Sequence, residues 1–133
     1  MAKFKQKDTL NPRKVTEFVL AAHHDMERVQ EMVEEDARVV NATLDMGNGD
    51  WESALDASAH MGRKDIALYL IENGARLDFI YLMAMLDEVE IVKSILTAFP
   101  MAKDAKGVHG FPLRHFAEFG KAERVLAYLD TLD

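Results

Sequence analysis

The feature that most constrains this chain is a pattern that returns along it. A small residue is followed by a turn residue three positions later and then by two aliphatics spaced i, i+4. The small residues are Ala22, Ala59, Ala84 and Ala117, separated by 37, 25 and 33 residues. The turn residues are Asp25, Gly62, Asp87 and Gly120, and the aliphatic pairs are Val29/Val33, Ile66/Leu70, Ile91/Ile95 and Val125/Leu129. Spacing of i, i+4 puts each pair on one helical face, so each unit reads as two helices joined by a tight turn. A single such unit cannot bury its apolar face, and several must stack. The expected fold class is therefore all-α, an array of four stacked helix-turn-helix pairs in one domain. Approximate units are 12–41, 42–78, 79–105 and 106–133. Segments 43–52 and 101–110 are expected to form two longer projecting loops, with strands short or absent.

Local signals support these elements. Asn11-Pro12 reads as an N-cap with proline at the first helical position. Ser53 reads as a helix cap, and Asp87 with Glu90 as a capping box. Asn73-Gly74 and Phe99-Pro100 are expected to close helices.

Composition narrows the function classes. The 133 residues are 49% apolar and 29% charged, a globular balance. Lys plus Arg is 16 against 23 for Asp plus Glu, a net charge of −7 that argues against nucleic acid as the partner. No cysteine is present, which excludes disulfides, thiolate nucleophiles and cysteine-ligated metals. The longest apolar run, residues 79–86, is too short to span a bilayer. With no export signal in the first residues, a soluble cytoplasmic protein is expected.

These units resemble the ankyrin-repeat family. Ser53-Ala54-Leu55-Asp56 stands where that family has Thr-Pro-Leu-His, and Ser58-Ala59, Gly62, Ile66, Leu70-Ile71 and Asn73-Gly74-Ala75 fall in its pattern. The fourth unit keeps Pro112-Leu113, Phe116-Ala117, Gly120 and Leu129. The first keeps Ala21-Ala22, Val29 and Val33, and the third is degenerate, with Ile80 and Ala84. The resemblance covers residues 15–133. It departs from the pattern at Asp25 and Asp87, at Trp51, and in the 25-residue spacing.

The resemblance implies a non-catalytic module that binds a protein partner through a concave face, as a monomer or weak homo-oligomer and without cofactor. Carried onto this chain, that face comprises His23, His24, Asp50, Trp51, Glu52, His60, Met61, Tyr81, Met85, Glu118 and Phe119. The negative charge points to a partner with a basic surface. Trp51 and Met85 also have a plain reading as core or helix cover.

Catalytic chemistry has little to build on. Ser53, Ser58 and Ser94 lack a nucleophile-elbow setting, and Gly120-Lys121 lacks the rest of a phosphate loop. Glu34-Glu35-Asp36 reads as a solvated helix end. Self-association through an exposed apolar face is one competing hypothesis; a metal-dependent or pared-down enzymatic role using His24, Asp50, Glu52 and His60 is the other. Its condition is that those four converge. Adjacent side chains point to different sides of a helix, so only one of His23 and His24 can join such a site. Asp56 and His60, at i, i+4, read as a helix-face pair.

Overall fold

A computed structural model describes residues 8–77 and 79–133. It contains α1 (Pro12–Ala21), α2 (Met26–Glu35), α3 (Ala54–His60), α4 (Lys64–Glu72), α5 (Phe79–Met85), α6 (Val89–Ala98), α7 (Leu113–Phe119) and α8 (Glu123–Asp130). Two three-residue strands, β1 (Thr43–Asp45) and β2 (Trp51–Ser53), pair antiparallel with Leu44 opposite Glu52. The protein is thus predominantly helical. No helix among the described residues is long and apolar enough to cross a membrane.

Each odd-numbered helix packs on the even-numbered helix that follows it, and α1, α3, α5 and α7 pack on one another in chain order. Helix α2 lies against α4, and α6 against α8. Small residues make the close approaches possible: Ala22, Ala57, Ser58, Ala84 and Ala117 are all fully buried. A core of Phe18, Leu55, Ile66, Leu70, Leu82 and Phe116 runs between them.

Segment 43–52 is a hairpin. Its tip is held by the Asp45 carboxylate, which accepts the N–H groups of Gly47 and Gly49 at 2.9 and 3.0 Å. Segment 101–110 is made of 310 turns, Pro100–Asp104 and Val108–Gly110, and is tied back by a bridge between Lys106 and Pro112.

Several sequence signals have their expected structure. The Asn11 side chain caps α1, Ser53 and Asp56 form a reciprocal capping box on α3, and α6 stops at Phe99 before Pro100. Val29, Val33, Ile66, Leu70, Val125 and Leu129 are buried.

Helix α6 differs. Val92 and Leu96 face inward, while Ile91 is 44% exposed and Ile95 only partly buried. This helix carries apolar residues on two faces, so i, i+4 spacing fits either pair. Packing against α5 and α8 selects the pair one residue later.

Asp87 also departs from expectation. It adopts a left-handed conformation with φ 61°, and Glu88 occupies the cap position without a side-chain cap bond. The Asp87 carboxylate instead accepts the Val125 N–H at 3.0 Å and a bond from Arg124 at 3.1 Å, tying the α5–α6 turn to the start of α8. Burial pushes this carboxyl up, but those donors outweigh it and hold it below its ordinary value.

Asp87→Ala is expected to cost about 1–3 kcal/mol in a urea melt at pH 7, through the lost bonds and the strained φ. A folded pKa below the unfolded one means that this stabilisation is present above the unfolded carboxylate range and is lost as pH falls. The gap between wild type and variant should therefore close in acid. An equal gap at pH 7 and pH 3 would contradict this assignment.

Candidate functional site: a histidine–glutamate cluster

Three elements and one loop converge on a single carboxylate. Strand β2 carries Glu52, placed inward by the hairpin register opposite Leu44. Helix α1 ends just before His23, α3 ends at His60, and the 106–112 segment carries His109 at φ 57°. The Nε2 atoms of His23, His60 and His109 lie 3.3, 3.0 and 2.9 Å from the same atom, Glu52 Oε2. One ligand atom from each of the four side chains falls within 4.8 Å of every other.

The far sides of two rings are anchored. His23 Nδ1 lies 2.9 Å from the Val19 carbonyl, and His109 Nδ1 lies 2.6 Å from Asp50 Oδ2. The Asp50 carboxylate also accepts the His109 backbone N–H at 3.0 Å. The two long connections, far apart in sequence, therefore meet through Asp50 and His109.

Glu52 is wholly buried, and its second oxygen, Oε1, has no hydrogen-bond partner among the described residues. Burial alone would push its carboxyl up. Hydrogen bonds with His23 and His60, and the charges of His23 and His109, outweigh that and hold it at about 2. The bond to Glu52 raises His23 against the opposing effect of burial. Burial lowers His109, but bonds and charges from Asp50 and Glu52 outweigh it and raise this ring. Asp50 is held down, chiefly by the His109 backbone N–H and then by its ring.

An aromatic stack leads from the cluster to the surface. The Phe111 and His115 rings are 3.9 Å apart at 7°, and His115 and Phe119 are 4.1 Å apart at 21°. His115 Nε2 lies 2.9 Å from the His60 carbonyl, so four of the five histidines gather in this region.

Of the residues assigned to the concave face from sequence, His23, Asp50, Glu52 and His60 come together. His60 and Glu52 are buried in the cluster and do not form a free acidic or polar rim. His24 is exposed and is not part of the cluster, and its carbonyl accepts from Arg63 at 2.8 Å. The foursome of His24, Asp50, Glu52 and His60 is thus corrected to His23, Glu52, His60 and His109, with Asp50 behind His109. Asp56 serves the capping box at Ser53, while His60 turns to Glu52.

Trp51, Met61 and Phe119 are 60%, 41% and 49% exposed, and Glu118 is exposed. Tyr81 is half-buried against the Phe116 ring. Met85 is not at the surface at all: it is 0% exposed, because Gly120 at the end of α7 sits directly on its backbone. Sequence reasoning did not single out His109, Phe111 or His115. The available signal was His109 itself, enclosed by Gly107 and Gly110 in the second long connection.

Compared with known proteins, the chain matches no family model, no curated protein and no solved structure.

Proposed function

We propose that this chain is a non-catalytic interaction module of the ankyrin-like kind, binding a protein partner through the face that carries the aromatic stack. The observation that carries the reading is an exposed apolar strip. Phe119 stacks outward from His115 and Phe111, and Met61 lies beside it, since Gly62 packs on the Phe119 backbone. Trp51, next to Asp50 in the hairpin, is a second exposed aromatic. Large exposed aromatics of this sort act as binding anchors, and methionine adapts to an irregular partner surface. Exposed Glu118 adjoins Phe119 in the chain, and the net charge of −7 favours a basic partner by steering encounter.

The test compares immobilised wild type with a Trp51→Ala/Phe119→Ala variant in lysate, after both are shown to melt alike. A partner held by wild type and released by the variant supports the reading. Identical retention by both chains, or none by either, contradicts it. Concentration-dependent sedimentation of the wild type identifies the case in which the strip pairs with its own copy.

A further inference from the structure

We propose that His23, Glu52, His60 and His109 form a binding site for one divalent first-row transition ion of the zinc type, which clamps the hairpin and the 106–112 segment to the ends of α1 and α3. This goes beyond the partner-binding reading and rests on different observations.

The first is a conflict of lone pairs. The Val19 carbonyl and the Asp50 carboxylate can only accept, so His23 and His109 must each carry a proton on Nδ1. In their neutral forms both rings then aim an Nε2 lone pair at Glu52 Oε2, which is itself an acceptor. Acceptor facing acceptor at about 3 Å is stable only with positive charge between them. Separate protons on the rings supply it, with His23 partly buried and His109 at the surface. A single metal ion satisfies both lone pairs, the His60 ring and the carboxylate at once.

The second observation is the orphaned Glu52 Oε1. Buried polar atoms are almost always paired, yet this one has no partner among the described residues, on a carboxylate whose other oxygen meets three histidines. The third is the backing of the rings. Ligating histidines characteristically donate their other N–H to a carbonyl or carboxylate, which is what Val19 and Asp50 receive.

Geometry and donor type agree. A tetrahedral ion with bonds of about 2.0–2.1 Å spaces its ligand atoms about 3.3 Å apart. The three separations from Glu52 Oε2 are 3.3, 3.0 and 2.9 Å. The histidine nitrogens stand no more than 4.8 Å from one another, and His109, on its surface segment, is placed to close the remaining distance. Three imidazoles and one carboxylate suit zinc and its first-row neighbours and do not suit calcium or magnesium, which take oxygen ligands. Four protein ligands make a closed site of the structural kind.

The experiment is calorimetric titration of chelator-stripped full chain with Zn²⁺ at pH 7.5, repeated with Co²⁺ to read coordination by visible absorption. One ion per chain and a four-coordinate Co²⁺ spectrum are expected. Asp50→Asn should weaken binding about 10–100-fold, as loss of a partner behind a ligand does. His109→Ala should weaken it further. His109 is a surface-segment residue, so this variant is expected to keep a cooperative melt in chelator. If it does not, Asp50→Asn, which touches no ion, carries the comparison. His24→Ala should bind as wild type does. Absence of uptake by wild type, affinity unchanged in both His109→Ala and Asp50→Asn, or loss confined to His24→Ala would each overturn the site.

Discussion

Ile66→Asp is expected to abolish the cooperative melt, while Ile91→Asp, the corresponding position of the next helix pair by sequence pattern, is expected to change stability by about 0.5 kcal/mol or less. Ile66 is 0% exposed on α4, the helix that packs against α3 and α2. Truncating such a side chain alone costs about 2–5 kcal/mol, and an unpaired buried carboxylate adds several more. That sum rivals the about 5–15 kcal/mol by which a whole domain is stable. Ile91 is 44% exposed and points away from the packed layer of α6. Circular dichroism melts of the two variants check the pair. Equal damage from both would mean that α6 packs as the sequence pattern has it, with Ile91 inside.

The second large effect is expected at Gly62. This residue sits at φ +69°, and a Cβ there would lie 2.1 Å from the Phe119 carbonyl oxygen and 2.6 Å from its carbon. Both atoms are backbone, so neither can rotate away. Gly62→Ala should cost about 1–2 kcal/mol for the left-handed conformation and about 1–3 more for forcing α3 and α7 apart. Gly74→Ala isolates the first contribution, because Gly74 has φ +93° with open space around its Cβ position. Urea midpoints should place Gly62→Ala well below Gly74→Ala. Matching midpoints would mean that the α3–α7 approach is looser than described.

The same contact bears on the site. His115 reaches the His60 carbonyl across the α3–α7 approach, so spreading it disturbs the His60 ring beside Glu52. Packing and site are joined there.

These results explain which features were legible in the sequence. Helix ends were legible where one residue decides the geometry locally: Asn11 before Pro12, Ser53 with Asp56, and Phe99 before Pro100. Small residues that admit a neighbouring helix were legible for the same reason. The inward face of α6 was not, because Val89, Ile91, Val92, Ile95 and Leu96 offer two apolar stripes and only the neighbouring helices choose between them. Asp87 looked like a cap because Glu90 follows at the right distance. Its carboxylate was claimed instead by Val125, 38 positions away.

The site was half legible. Placing His23, Asp50, Glu52 and His60 on one face followed from the resemblance, and the structure brings those four together. Choosing between His23 and His24 required the direction in which α1 ends. His109 stands 57 positions from Glu52 and 59 from Asp50, on a segment with no periodic pattern, and only tertiary structure brings it in. Burial of Glu52 was equally hidden, since an acidic residue in a hairpin strand ordinarily reads as solvent-facing.

The measurement that tests the metal site most directly is an anomalous difference map at the zinc absorption edge, from crystals of the full chain grown with Zn²⁺. The account predicts one dominant peak about 2.0–2.2 Å from the Nε2 atoms of His23, His60 and His109 and from a carboxylate oxygen of Glu52, with Asp50 still on His109 Nδ1. A map without a peak among these four side chains, or with its only peaks at His24 and the surface carboxylates, would contradict it.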